Sequence, residues 1–244
     1  MSKKITLRQF LTRSGAFGKV YDCIAAIRNG KVTVDNKIIT NPNHFLNPKK
    51  SVVKFGNSML KRTPKLYFIL NKPAGYSSQK SANEKTVYDL IEKISIPDES
   101  KKSLFVVGRL DKETEGLMLI TNDGKLANLV MNPDIKIEKE YYAAVEKRIN
   151  KLDIAKLKNG VKIKIDDEEY LTKPAKIKNV DEKTIYITIS EGRKRQLRKM
   201  LEAVGNKVVY LKRVSIGGLQ LGNLKKGSLK QISREELYKN LNVQ

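Results

Sequence analysis

A set of short apolar runs constrains this chain more than any other feature. LYFIL (66–70), SLFVVG (103–108), LMLIT (117–121), TIYITI (184–189) and KVVYL (207–211) are each the length of a strand and rich in β-branched and aromatic residues. KEYYAAVE (139–146), VKIKI (161–165) and PAKIKNV (174–180) add runs in which apolar and polar residues alternate. Helical spacing fits TVYDLIEKI, GKLANLVMN, RKRQLRKMLEAVG ending at Gly205, and SREELYKNL. Strands and helices do not alternate strictly. The expected fold is therefore α+β, a mixed, largely antiparallel sheet with flanking helices.

The first 54 residues form a separate composition class, with 11 Lys and Arg against two acids, Asp22 and Asp35. Ile5, Leu7, Phe10 and Leu11 mark a first helix, ended by Ser14-Gly15. Val20, Ile24 and Ile27 mark a second, with Gly30 at its C-terminal cap. KVTVDNKIIT reads as two strands around an Asp35-Asn36 turn. The spacing predicts a helix–helix–hairpin unit over 1–54, a polar linker over 55–65 around Gly56 and Pro64, and a larger domain over 66–244.

The formal charge of +23 on 244 residues points to a polyanionic partner. No apolar run approaches the ~18 residues of a membrane span, and no basic amphipathic helix stands out. The N-terminus has no extended apolar region, so no signal peptide is expected and a reducing cytoplasm is the expected compartment. Cys23 and His44 are each the only residue of their type, which leaves no His/Cys metal set. Phosphate-loop and dinucleotide-binding glycine motifs are missing. Any chemistry falls to carboxylates, Tyr, Lys and Arg.

VVGRLDKETEGLMLITNDG (106–124) puts Asp111 just beyond a strand, with Arg109 two residues before and Lys112 one after. Nearby cations favour an ionised carboxylate, able to act as nucleophile or base. The plain alternative is a loop aspartate bonded to its own backbone, with Glu113 and Glu115 solvated and Asn122-Asp123-Gly124 a simple turn. EGRKRQLRKM (191–200) opens a helix whose N-terminus and basic side chains suit phosphate. Tyr141 and Tyr142 fall on opposite faces of a strand, so one can line a cleft.

Together, GRLDKETEGLMLITNDG, NKPAG (71–75), KEYYAAV, EGRKRQLRKML and GSLKQISREEL (227–237) resemble the motifs of the pseudouridine synthases, in the ribosomal small-subunit-type (RsuA-like) branch. The N-terminal unit resembles an S4 RNA-binding domain. The resemblance implies that this chain converts a uridine in RNA to pseudouridine. It places the catalytic carboxylate on Asp111, the active-site tyrosine on Tyr141, and the basic partner of the aspartate on Arg198, paired with Asp111. It implies no cofactor and no metal. It also implies structured RNA as partner, ribosomal RNA first, engaged by a monomer without a membrane. Arg109, Arg193, Lys194 and Arg195 are the expected RNA contacts of the larger domain. Arg8, Arg13, Lys19, Arg28 and Lys31 are those of the S4-like unit. Two other readings stay open: a non-catalytic RNA-binding or ribosome-assembly protein, and a two-carboxylate hydrolase using Asp111 with Glu113 or Glu115.

Overall fold

The structure, a computed structural model, describes residues 4–242. It divides into two compact units, Met1–Leu66 with Ile91–Phe105, and Tyr67–Leu90 with Val106–Gln244.

The first unit begins with β1 (Ile5–Thr6), α1 (Leu7–Thr12), α2 (Val20–Arg28), β2 (Val32–Val34), β3 (Lys37–Ile38), β4 (Phe45–Leu46), β5 (Val53–Phe55) and β6 (Ser58–Leu60). Thr6 opens α1 with a capping box, its hydroxyl accepting from the Gln9 N–H while the Gln9 side chain accepts from the Thr6 N–H. The apolar stripes meet in one core, with Leu7, Phe10, Leu11, Ile27, Val32 and Val53 almost fully buried. Strands β3-β2-β5-β6 form an antiparallel sheet. Asp35 and Asn36 both take positive φ at the β2–β3 turn, which suits a tight hairpin.

Two boundaries differ from expectation. The stretch expected as linker contains β6, because Gly56 turns the chain back at φ 55 and Leu60 packs on the core. Residues 91–105, expected within the larger domain, belong to this unit and carry the helix Asp98–Ser103. Gly15 explains their seat: a Cβ there would lie 1.9 Å from the Glu99 carbonyl oxygen. The Thr63 hydroxyl is also within 3.1 Å of the Ser103 hydroxyl.

The second unit is built on β7 (Tyr67–Lys72), with α3 (Val87–Ile91) following; α4 (Asp98–Ser103) is the helix already placed in the first unit. Next come β8 (Phe105–Val107), β9 (Glu115–Thr121), α5 (Gly124–Met131), β10 (Lys139–Val145) and α6 (Lys151–Asn159). Then follow β11 (Lys162–Ile165), β12 (Glu168–Leu171), β13 (Lys176–Asp181), β14 (Thr184–Ile189) and α7 (Gln196–Ala203). The chain closes with β15 (Val208–Ile216), β16 (Leu219–Gln220), β17 (Leu229–Gln231) and α8 (Arg234–Leu241). One mixed sheet has the order β13-β14-β10-β15-β9-β7-β17, with β16 on β15 and β8 on β9. The β9–β15 pair is parallel. The β7–β9, β10–β14, β10–β15, β13–β14, β7–β17 and β15–β16 pairs are antiparallel.

Every residue of β7 and β9 is buried, as a strand covered on both faces requires. Strand β10 alternates, with Tyr141, Ala143 and Val145 buried on one face. Asp123 does more than the simple turn expected of it. Its carboxylate caps α5 through the Lys125 N–H and accepts from the Tyr67 hydroxyl at 3.0 Å. Among the described residues no helix is long and apolar enough to cross a membrane.

Candidate active site

A single cavity of about 1040 Å³ in the second unit is lined by Asp111, Tyr141 and Arg198 together. That volume admits a nucleotide. Arg109 and the turn Arg193–Arg195 line it too.

Asp111 sits on the loop between β8 and β9, half-buried. Its neighbours are pinned from both sides. The Ser78 hydroxyl donates to the Leu110 carbonyl at 2.7 Å and accepts from the Leu110 N–H at 3.1 Å. On the other side, the Lys112 carbonyl accepts from the Gly75 N–H at 2.8 Å and from the Lys72 amine at 3.1 Å. Lys72 also donates to the Thr114 carbonyl at 2.9 Å and to Pro73 at 3.0 Å. Its side chain is completely buried, and burial pushes the amine down to about 8 against the upward pull of Glu113, Glu115 and Asp111. The Asp111 N–C frame is thus fixed, while its carboxylate accepts no hydrogen bond from a described residue. Ser78→Ala would leave two backbone groups of Leu110 unpartnered at about 1–3 kcal/mol. The expected result is a single-turnover rate roughly tenfold lower with unchanged RNA affinity; an unaltered rate would show that the clamp is dispensable.

The cavity floor comes from the sheet. Lys139 and Tyr141 lie on the same face of β10, as residues two apart must. Opposite them, the register passes from Glu140–Ser215 directly to Tyr141–Arg213, so Val214 is the extra residue of a bulge. The bulge puts Leu211, Arg213 and Ile216 on the cavity side. Gly116 is required behind it, because a Cβ there would lie 2.2 Å from the Arg213 carbonyl oxygen. Tyr141 is only 8% exposed, so its ring forms a wall with little freedom. Burial, and then the Arg213 charge, hold the Lys139 amine below its ordinary value.

The basic turn is organised by Glu191, a buried carboxylate. Glu191 accepts from the Tyr170 hydroxyl at 2.6 Å, from the Lys173 N–H at 3.0 Å and from the Gln196 amide. Gln196 in turn accepts from the Arg193 N–H at 2.9 Å, and the Arg193 guanidinium stacks on Tyr170. The helix expected from Arg193 opens only at Gln196, because Arg195 takes a left-handed conformation at φ 53. Arg193, Lys194 and Arg195 are therefore exposed on a turn, not on a helix face.

Several contacts depart from expectation. Arg198 makes no ion pair within 4.0 Å with Asp111, although both line the cavity, and its Nε is buried without a hydrogen-bond partner. The arginine paired near this loop is Arg195, which reaches Glu113 at 3.2 Å. Glu113 is exposed, as expected, and is held below the usual carboxylate range by its own backbone N–H and, secondarily, by Arg195 and Arg198. Glu115, also expected to be solvated, is buried and bonded to Lys226 and Tyr210. In the first unit Arg8, Lys19, Arg28 and Lys31 are exposed, whereas Arg13 spends its guanidinium on the Thr63 carbonyl at 2.6 Å. Lys72, Ser78, Glu191 and Arg213 were not expected at the site.

A rigidly framed carboxylate, a buried tyrosine and several arginines around a nucleotide-sized space suit nucleophilic or proton-transfer chemistry on an anionic substrate. Among the described residues no group of three or more His, Cys, Asp or Glu could hold a metal ion.

Comparisons with known proteins fit this geometry. Residues 66–203 match the family model described as RNA pseudouridylate synthase. An uncharacterized RNA pseudouridine synthase, YtzG, of Bacillus subtilis is 36% identical over 220 residues, 88% of this chain and 89% of that protein. The ribosomal small subunit pseudouridine synthase A of Escherichia coli is 36% identical over 197 residues, 80% of this chain and 82% of that one. A crystal structure of a pseudouridylate synthase superimposes with a TM-score of 0.68 at 28% identity, covering 97% of this chain and 99% of the other.

Proposed function

The chain belongs to the RNA pseudouridine synthase family, and from that premise we propose that it isomerises a uridine in ribosomal RNA with Asp111 as the carboxylate acting at C1′. The observation that carries the assignment of Asp111 is its place in one nucleotide-sized cavity with Tyr141 and Arg198, on a loop held at both neighbouring residues.

The reaction breaks the C1′–N1 bond, turns the base and joins C5 to C1′. Nothing is added or removed overall, so carboxylate and cations suffice. The uridine leaves its stack to bring the sugar–base bond within reach. Asp111 compensates the electron-poor C1′. Tyr141 stacks on the ring, and its hydroxyl can serve in a proton transfer. Arg198 brings an unsatisfied N–H to the same space and orients Asp111 once a nucleotide fills it; such contacts tighten on substrate binding. Arg109 and the turn Arg193–Arg195 take flanking phosphates.

The first unit acts as an S4-like RNA-binding domain, with its RNA contacts within residues 1–54, and the second unit as the catalytic domain. The relative that acts on the ribosomal small subunit, together with the charge of +23, supports ribosomal RNA as substrate, bound by a single chain in the cytoplasm. Replacing Arg8, Lys19, Arg28 and Lys31 together by Ala is expected to weaken ribosomal RNA binding more than about tenfold. The slope of log K against log salt should flatten by roughly 0.7–0.9 per lost phosphate contact. Unchanged binding would remove the first unit from the RNA interface.

The function itself is tested with ribosomal RNA from cells lacking the gene, carrying tritium at C5 of uridine. Isomerisation releases that tritium to water. Release by the wild-type chain is expected, and none would favour the non-catalytic RNA-binding reading.

A further inference from the structure

The Arg213 side chain is only 3% exposed and lines the cavity. Its Nε donates to the Leu117 carbonyl at 2.7 Å, while its Nη2 is buried without a hydrogen-bond partner. Among the described residues no carboxylate lies within 4.0 Å of the guanidinium. Beside it stands Lys139, whose amine is bonded only to a neutral carbonyl, that of Ile137, at 2.9 Å. A sheet that buries one guanidinium unpaired, and sets an ammonium near it, carries a costly excess of positive charge. The bulge at Val214 places this charge directly across from Tyr141.

We propose that the Arg213 guanidinium is a further catalytic residue, donating from Nη2 to a carbonyl oxygen of the uracil ring and stabilising the negative charge that the ring carries while detached from ribose. This rests on the reading of Asp111 given above. When C1′–N1 breaks, the bonding pair stays on the base and spreads over N1 and the two carbonyl oxygens. The Asp111 carboxylate compensates C1′. After the ring turns, the base returns an electron pair in forming C5–C1′. The C5 proton is then lost and N1 takes up one proton, so atoms and charge balance without another reagent. A donor fixed before the charge develops acts most strongly in the transition state. Lys139 adds to the same field.

The test uses the full chain and ribosomal RNAs transcribed in vitro with either uridine or 5-fluorouridine. Fluorine withdraws electrons, so the fluorinated base carries the departing pair with less help. Loss of the parent nucleoside, measured after digestion in single turnover, reports bond cleavage for both. Arg213→Gln should slow cleavage on uridine RNA by about 100-fold, an effect of the size typical for a lost oxyanion donor. On 5-fluorouridine RNA the loss should shrink to about tenfold or less, with RNA affinity unchanged. Arg213→Lys keeps the charge and should recover part of the rate. It also serves if Arg213→Gln fails to fold, because its smaller loss should still be greater with uridine. Equal losses on both RNAs, an unaltered rate, or a defect confined to RNA affinity would each overturn the proposal. Asp111→Asn, run in parallel, separates the two ideas. If it is inactive while Arg213→Gln is unimpaired, only the role of Arg213 fails. If it stays active, the reading beneath fails.

Discussion

Asp111→Asn is expected to lower single-turnover pseudouridine formation by about 10⁴-fold or more, while RNA affinity changes less than about threefold. Losses of this size follow removal of a group that acts as a unit with the reaction centre. The amide matches the carboxylate in shape but carries no charge for C1′ and is a poor nucleophile. Folding should be nearly untouched, since the carboxylate accepts no hydrogen bond from a described residue. The loop is instead held through Leu110 and Lys112. Parallel filter binding and nucleoside analysis check both halves. A large loss of affinity would move Asp111 from chemistry to binding.

Lys72→Met is expected to damage both stability and rate. It removes the donor shared by the carbonyls of Pro73, Lys112 and Thr114, of which only that of Lys112 keeps another, the Gly75 N–H. Leaving the other two unpaired costs about 1–3 kcal/mol each at most, offset in part by no longer burying a charge. A net loss of about 2–4 kcal/mol and a rate at least tenfold lower are expected, because the Asp111 loop loses one of its two clamps.

The effect depends on pH. Burial lowers the Lys72 amine to about 8 from an unfolded value of 10.5. Between those values the unfolded chain binds the proton more fully, so the contribution of Lys72 to stability rises with pH. The advantage of wild type over Lys72→Met should therefore be smallest below pH 8 and grow toward pH 10.5. Urea denaturation at pH 7 and pH 9.5 reads this directly, and an advantage that falls with pH would contradict it.

The strands were legible because burial imposes short apolar runs. LYFIL and LMLIT are buried on both faces, whereas KEYYAAV alternates: Tyr141, Ala143 and Val145 are buried on the face that carries the cavity wall, and Glu140, Tyr142 and Ala144 are more exposed on the other. Helix α6 was missed because Leu157 is its only buried side chain, so no apolar stripe marks it. Strand β12 was missed for the same reason: EEYL has no fully buried residue.

Asp111, Tyr141 and Arg198 are singled out by motif resemblance, and all three line one cavity. Their contacts were not legible. Nothing in EGRKRQLRKM shows that Arg195 turns left-handed and takes Glu113 while Arg198 stays unpaired with Asp111. Arg213 was hidden for a geometric reason. Bulges at Val209 and Val214 break the two-residue period of β15, so counting along the strand cannot assign its face. Lys72 was hidden because a lysine is ordinarily solvated, and only the three carbonyls gathered around it make burial tolerable.

The most direct measurement of the role of Asp111 is the crystal structure of Asp111→Asn bound to an RNA fragment containing the target uridine, first located by carbodiimide mapping in cells with and without the gene. The uridine should be turned out of its stack, its ring against Tyr141 and its C1′ in van der Waals contact with the side chain at 111. A base still stacked in the RNA, or a C1′ held across the cavity from that side chain, would contradict the account.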